Sequence, residues 1–221
     1  AGGALDEKYP HDGLEKVLSR FMGKATLGSA VKNTVVTSYD IEDRRPVFLK
    51  SWKKEHEKVL MAHAARATSA APTYFEPARV AVEGRERALI DGGVFINSPS
   101  VSAYAEAKRI FPKEKDFFVL SLGTGELIRR IPYEDAKDWG KAGWLLPVLS
   151  CMFDGVADAA DYQMNMFLGE NYVRLQTRLE TASDDMDNAT AGNIANLQTE
   201  AEELIRQRKA ELERVCGVLA G

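Results

Sequence analysis

The sequence predicts an α/β layered domain, and three observations carry this prediction. Segments with strand character alternate with segments of helical spacing, which is typical of layered α/β proteins. The run at residues 116–125, DFFVLSLGTG, is apolar and nearly continuous, as in a parallel strand that is covered on both faces. The chain has 221 residues, of which 45% are hydrophobic, and this is enough for one sizeable core in one domain or two small ones.

The predicted elements follow one another in a regular order. Helical spacing or helix-start signals predict helices at residues 13–21, 55–68, 98–111, 144–169 and 195–219. Strand character is found at residues 34–41, 47–52, 88–90, 116–125 and 171–176. The first two strands flank a short charged turn, so we expect them to pair like a hairpin. Ser98 and Pro99 indicate a helix start, because serine caps free N–H groups and proline fits the first turn.

Composition and charge exclude some classes of protein. The chain has 29 basic and 33 acidic residues, a net charge of -4, and no basic stripe with interleaved aromatic residues, so we expect no nucleic-acid partner. Cys151 and Cys216 are too few for a disulfide scaffold, and free thiols in a reducing compartment are favoured over a single bridge. No segment approaches the roughly 18 uncharged apolar residues of a membrane span.

The first residues, AGGALDEKYP, contain neither an initiating Met nor the apolar region of a signal peptide. We therefore expect that other residues precede Ala1 in the natural protein. The expected location is cytoplasmic or peripheral to a membrane, and secretion stays open because the natural N-terminus is not in this sequence.

Several candidate sites have a simpler structural interpretation. The Gly123-Thr124-Gly125 sequence follows a strand but lacks the third glycine of a dinucleotide fingerprint and the GK[ST] of a P-loop, so a tight turn is favoured. His56 and His63 do not form an HExxH motif and have no evident third ligand, so no metal is predicted. The apolar helix at 144–169 is expected to be a core helix rather than a lipid-facing one, because Asp residues interrupt it.

The strongest candidate site is Asp91, at the end of the apolar strand 88–90. One interpretation is a turn cap, because aspartate accepts hydrogen bonds from nearby backbone N–H groups. The other is a general base, because α/β folds keep their chemistry at the carboxyl ends of strands. Gly92 and Gly93 would then allow a substrate or backbone to approach closely, since neither has a Cβ. The residues alone leave both interpretations open.

An ordered set of motifs resembles the patatin-like phospholipase family. The motifs are YDIEDRRPVFLKSW (39–52), ATSAAPTYFEP (67–77), DGGVFINSP (91–99), FFVLSLGTG (117–125) and ASDDMDNA (182–189). Each motif alone is weak evidence for the family, but the order and spacing of the set are specific to it. The similarity runs from about Tyr9 to about Arg214. The resemblance implies a three-layer α/β/α fold with a central, mostly parallel sheet.

The resemblance also implies a serine–aspartate dyad without histidine, in which the aspartate of the family's DG[GA] motif falls on Asp91. The family's nucleophile lies in a GxSxG elbow and its oxyanion hole in a GGGx[RK]G loop, and neither motif is present in this sequence. No serine has the flanking glycines of an elbow. Residues 1–221 are therefore expected to be the C-terminal two thirds of a patatin-like domain, truncated at its N-terminus.

The function that follows from the resemblance is hydrolysis of lipid acyl esters, most simply those of phospholipids, with no cofactor. The expected partners are the lipid substrate, a membrane surface and the missing N-terminal segment of the same domain. Two alternatives stay open: an inactive lipid-binding or assembly module, and an acyltransferase that uses the same acyl-enzyme. The strand at 116–125 is expected to have a neighbour on each side, so we expect the chain to fold only with that missing segment.

Overall fold

A computed structural model describes residues 7–127 and 130–221, apart from the side chains of residues 145 and 146. The contacts within the chain divide it into two units. The first unit comprises Ala1–Pro99 and Leu149–Ala160, and the second comprises Ser100–Val148 and Asp161–Gly221.

The helices and strands alternate along the chain. The α-helices are α1 (His11–Met22), α2 (Met61–Thr68), α3 (Ser100–Ile110), α4 (Tyr133–Ala136), α5 (Lys141–Leu168), α6 (Ala191–Gln207) and α7 (Lys209–Ala220). The strands are β1 (Val35–Asp40), β2 (Arg45–Lys50), β3 (Ala78–Val82), β4 (Arg85–Asp91), β5 (Val119–Leu122) and β6 (Tyr172–Leu175).

The first unit contains an antiparallel sheet in the order β2-β1-β4-β3. The hairpin predicted from the first two strands is confirmed as β1 and β2. Strand β3 was not predicted, although its alternating sequence ARVAV buries every second residue. A turn joins β3 to β4 through Glu83 and Gly84, which both have positive φ (54° and 79°), as a two-residue hairpin turn requires.

The core of the first unit forms where α2 packs on this sheet. Helix α2 contacts β1, β3 and β4. Ala64 and Ala67, on α2, lie in one cluster with the sheet residues Leu49, Val80 and Leu89. Small side chains on the helix let it approach the sheet closely, so the apolar face of the sheet is removed from water.

The helix predicted at 55–68 begins later, at Met61, so the prediction was wrong for its first turns. The preceding residues make backbone hydrogen bonds with a distant segment instead: Leu27 donates to the carbonyl of Val59, and Gly28 donates to that of Glu57. His56 is buried there, and its Nδ1 accepts from the N–H of Lys50 at 3.0 Å. Tertiary contacts therefore override the local helical pattern.

The second unit contains the parallel pair β5 and β6. Val173 and Leu175 of β6 pack with Val215 of α7 in its buried cluster. Strand β5 is shorter than predicted, and Leu122 at its end is 68% exposed, so the prediction that both faces are covered was wrong at that end. Within the described residues β5 pairs with β6 alone, whereas a neighbour on each side was expected.

The α/β class is confirmed, but the strand arrangement differs from one central, mostly parallel sheet. Short connections explain two of the three antiparallel pairs in the first unit, β1–β2 and β3–β4. Strands joined by the four residues 41–44 or the two residues 83–84 can only run antiparallel, because a parallel pair needs a crossover of a dozen or more residues. The connection from β5 to β6 includes α5 and is long enough for such a crossover.

Candidate functional site

Asp91 is the last residue of β4 and the N-cap of a short 3-10 helix, Gly92–Val94. Its carboxylate Oδ1 accepts from the N–H of Gly93 at 2.7 Å. Its own N–H donates at 3.0 Å to the carbonyl of Ala70, just beyond α2. Asp91 is therefore held from both sides, by the turn that follows it and by the segment after α2.

Each glycine after Asp91 has a definite steric role. A Cβ on Gly92 would lie 2.4 Å from Thr37 Oγ1 and 2.6 Å from the Thr37 carbonyl oxygen, so a side chain would push the turn away from β1. A Cβ on Gly93 would lie 3.2 Å from Asp91 Oδ1 and press on the carboxylate. Gly92 therefore sets the position of the turn, and Gly93 leaves room for the oxygen that its N–H binds.

Aromatic packing stabilises the C-terminal end of the same turn, at Phe95. Phe95 follows the 3-10 helix, and its ring lies 6.1 Å from that of Tyr39 and 5.9 Å, edge on, from that of Phe48. Such tilted and edge-on pairs are favourable because the ring edges and faces carry opposite partial charges. The turn that contains Asp91 is thus fixed against both β1 and β2.

The half-buried position of Asp91 changes its acidity. Burial raises the pKa of the Asp91 carboxyl above its usual value, because the charged form loses solvation. The hydrogen bond from Gly93 stabilises the charged form and lowers the pKa, but it is the smaller of the two effects. The result is a carboxylate with more affinity for a proton than a solvated aspartate, which is a property of a general base.

Ser38 lies directly opposite Asp91 in the antiparallel pairing of β1 and β4. Side chains opposite each other in such a pair share one face of the sheet. Ser38 is completely buried, and its hydroxyl has no hydrogen-bond partner among the described residues. Sequence reasoning missed this neighbour, because register across a sheet is not visible in a single strand. Complete burial keeps the Ser38 hydroxyl from an ester substrate, so it does not replace a nucleophile.

His56 occupies a structural position. His56 is buried and placed between the Lys50 N–H and Glu83, whose Oε1 lies 3.4 Å from Nε2. Burial lowers the pKa of His56, and the hydrogen bond with Glu83 partly opposes this shift. His63, by contrast, is exposed. Within residues 7–127 and 130–221, no three His, Cys, Asp or Glu side chains gather as a metal-binding group.

The Gly123-Thr124-Gly125 segment was predicted to be a tight turn, and this was wrong, because the chain continues in parallel beside residues 175–178. The N–H of Gly123 donates to the carbonyl of Leu175 at 2.8 Å, and Glu126 forms a parallel bridge with Arg178. The N–H of Gly125 donates to Gln176 Oε1 at 2.9 Å, and Gly125 has a φ of 95°. A Cβ on Gly123 would lie 2.1 Å from the same Gln176 oxygen. The glycines make room for a side chain of the protein itself.

Helix α5 does not have the burial expected of a core helix. It buries Ala160 and Met164, but several large apolar side chains recur three and four residues apart and are 37–56% exposed. These residues, which we call the α5 apolar stripe, are Leu149, Met152, Phe153 and Val156, all in the first unit. The expectation of a core helix was therefore wrong for this part of α5. None of the helices within the described residues combines the length and apolar character needed to cross a bilayer.

Comparison with known proteins agrees with the motifs. The family model described as Patatin-like phospholipase matches residues 3–104, which include Asp91 and the two glycines after it. The four-stranded antiparallel sheet and the strand-end carboxylate thus lie in a segment of patatin-like sequence. The resemblance to this family is confirmed.

The curated relatives extend the similarity beyond that segment. Patatin-like protein 3 of Arabidopsis thaliana is 27% identical over 249 residues, which cover 98% of this chain and 57% of the relative. Patatin-like protein 8 of the same plant is 30% identical over 90% of this chain and 42% of the relative. Patatin-like protein 2 of Oryza sativa subsp. indica is 26% identical over 98% and 61%. The chain spans about half the length of these relatives.

Proposed function

We propose that this chain is part of a lipid acyl hydrolase in which Asp91 is the carboxylate of a serine–aspartate dyad. The observation that carries the proposal is the state of Asp91: a half-buried strand-end carboxylate whose pKa burial raises, followed by two glycines. The similarity to patatin-like phospholipases supplies the class of substrate, an acyl ester of a lipid. The nucleophile and the oxyanion donors would come from protein segments outside these 221 residues.

In the proposed reaction, Asp91 accepts the proton of the serine hydroxyl while the serine oxygen attacks the ester carbonyl carbon. Backbone N–H groups stabilise the resulting tetrahedral oxyanion. The intermediate expels the alcohol, which takes the proton back from Asp91. Asp91 then accepts a proton from water, whose oxygen attacks the acyl carbonyl carbon. When this second tetrahedral intermediate breaks its bond to serine, Asp91 returns the proton to the serine oxygen and the fatty acid is released.

The contacts of Asp91 are compatible with this role. Oδ1 is engaged by the Gly93 N–H, whereas no hydrogen bond to Oδ2 is found among the described residues. One oxygen can thus orient the carboxylate while the other accepts a proton. A free aspartate has a pKa near about 3.9 and is a weak base at neutral pH, so both the orientation and the raised pKa contribute.

The test compares two polypeptides on a short-chain p-nitrophenyl ester. The 221 residues alone should release p-nitrophenol no faster than buffer, because they lack the nucleophile. A longer natural polypeptide that contains them together with the serine segment should turn over, and Asp91→Ala in it should abolish turnover. Activity of the 221 residues that survives purification and is lost in Asp91→Ala would contradict the incomplete-enzyme proposal.

A second candidate, a lipid-binding module without catalysis, is favoured by the α5 apolar stripe. Exposed apolar residues at helical spacing can insert into the boundary between head groups and acyl chains. This candidate predicts that the longer polypeptide binds phospholipid vesicles without releasing fatty acid. Measurement of vesicle co-sedimentation and fatty-acid release in the same sample separates the two functions.

A further inference from the structure

The first unit contains a second feature that the proposed reaction does not use, a cavity of about 220 Å³ bordered by α1, α2 and β3. Its apolar wall comes from small and aliphatic residues of these elements. Its polar lining consists of Glu15, Ser19, His63, Arg66 and Arg79. Arg66 thus faces the Glu15 carboxylate, whereas the Arg79 side chain alternates with Ala78 and Val80 and lies on the other face of β3. The volume suits a small molecule or a head group rather than an acyl chain.

Arg66 is the unusual member of this lining, because it is charged and only 4% exposed. Its Nη2 donates to the carbonyl of Glu76 at 2.9 Å, and its guanidinium lies 5.8 Å from the centre of the Phe75 ring. Its Nε and Nη1 have no hydrogen-bond acceptor among the described residues. Buried donors are nearly always satisfied in folded proteins, so two unmet donors on one buried cation indicate an anion that completes the site.

Glu15 forms an ion pair with this guanidinium but does not satisfy its hydrogen-bond donors. Its Oε1 lies 3.5 Å from Arg66 Nε, which is an ion pair without the geometry of a hydrogen bond. The Glu15 side chain is 51% exposed, so it can turn into solvent without losing a buried position. Glu15 therefore neutralises part of the Arg66 charge and can be displaced by a stronger acceptor.

We propose that this cavity binds a phosphate monoester group, which displaces the Glu15 carboxylate from Arg66. The group would accept hydrogen bonds from Arg66, with Ser19 and His63 as further donors at the rim. A phosphate has three or more acceptor oxygens for these donors, whereas a carboxylate has two and is already present as Glu15. Arginine is well suited to phosphate because its planar donors match the oxygens.

The test measures binding of inorganic phosphate and of glycerol 3-phosphate by titration calorimetry, with the full polypeptide that contains residues 1–221. Glu15→Gln removes the competing carboxylate, so both ligands should bind about five- to tenfold more tightly. The double variant Ser19→Ala/His63→Ala removes two exposed donors at the rim, so binding should weaken about tenfold. These variants avoid the buried Arg66, whose replacement risks unfolding. Arg20→Ala, a basic residue of α1 outside the cavity lining, is the matched control and should change affinity by less than about twofold.

Two further arms distinguish the source of the phosphate. Vesicles of phosphatidylcholine with phosphatidic acid should bind the unmodified protein, and bind Ser19→Ala/His63→Ala more weakly, if the ligand is a lipid head group, whereas phosphatidylcholine alone should not bind. Binding of glycerol 3-phosphate that the same double variant weakens, without vesicle binding, would identify a soluble phosphate ester. Binding of acetate or glutamate as tight as that of phosphate, or affinities unchanged by both Glu15→Gln and Ser19→Ala/His63→Ala, would overturn the proposal. So would the absence of any phosphate binding in folded protein.

Discussion

Asp91 in the first unit and Glu200 in the second both use a carboxylate to hold a turn of the backbone, yet their acidities change in opposite directions. Asp91 receives one backbone N–H and is half-buried, and burial raises its pKa. Glu200 Oε1 receives the N–H groups of Glu180, Thr181 and Ala182 and the Thr181 hydroxyl, at 2.7–3.1 Å. These donors lower the pKa of Glu200 to about 2.

The difference shows what separates a reactive carboxylate from an anchoring one. Each N–H that points at a carboxylate stabilises the charged form, whereas loss of water destabilises it. At Glu200 the donors dominate, so the group stays ionised and ties residues 180–182 to α6. At Asp91 burial dominates, so the group holds its turn and still has affinity for a proton. The following predictions test this contrast.

The largest expected effect is on catalysis. In a longer polypeptide that hydrolyses lipid esters, Asp91→Asn keeps the shape of the side chain but removes the proton acceptor. The hydrolysis rate constant should fall by at least about 100-fold, as is typical when a general base is lost. Steady-state hydrolysis of a p-nitrophenyl ester measures it, and Glu200→Gln should leave the rate within a small factor. A normal rate in folded Asp91→Asn would make Asp91 a structural turn residue.

The next effect is on the position of Asp91. Gly92→Ala places a methyl group against Thr37 Oγ1 and the Thr37 carbonyl oxygen, which belongs to the backbone and cannot rotate away. We expect a loss of about 1–3 kcal/mol in the free energy of unfolding, measured by urea denaturation. Gly13→Ala is the matched control, because its Cβ would meet nothing within 4 Å, and it should leave the stability unchanged or slightly higher. Equal effects of the two variants would contradict the close approach of Gly92 to β1.

The contribution of Glu200 should depend on pH. Its pKa in the folded protein lies below the ordinary 4.5, so the charged form stabilises the fold. That stabilisation is fully present above about pH 4.5 and disappears as the pH falls towards about 2. Glu200→Gln should therefore lower the Tm by a few degrees at pH 7, and the difference from the unmodified protein should shrink on acidification. A difference that is constant with pH would mean that the charge of Glu200 does not act through these donors.

The smallest effect, with the opposite sign, is that of Asp91 on stability. Because its pKa is raised in the folded protein, its contribution to stability is present below the pKa of the unfolded chain. It is lost as the pH rises through the pKa of the folded protein. At pH 7 Asp91→Asn should therefore be as stable as the unmodified protein or slightly more so, within about 1 kcal/mol. Thermal unfolding at pH 7 and in acid tests this, and a clear loss of stability at pH 7 would show that the charge of Asp91 serves the turn.

Local sequence pattern determined much of this protein. The alternation of strands and helices predicted the α/β class, and the β-branched runs around a charged turn predicted the β1–β2 hairpin. The order and spacing of the motifs showed the resemblance to patatin-like phospholipases. The same motifs predicted a candidate site at Asp91, Gly92 and Gly93. These features are visible in sequence because turns and side-chain periodicity are set by residues a few positions apart.

Tertiary structure decided what depends on residues far apart in the chain. The first turns of the helix predicted at 55–68 did not form, because residues 57 and 59 hydrogen-bond with residues 28 and 27. The antiparallel pairing of β1 with β4, which are far apart in the chain, was not visible in either strand alone. The register of β1 against β4 placed Ser38 opposite Asp91. Burial and the number of converging N–H groups decided that the pKa rises at Asp91 and falls at Glu200, because a charge responds to everything packed around it, whatever its distance along the chain.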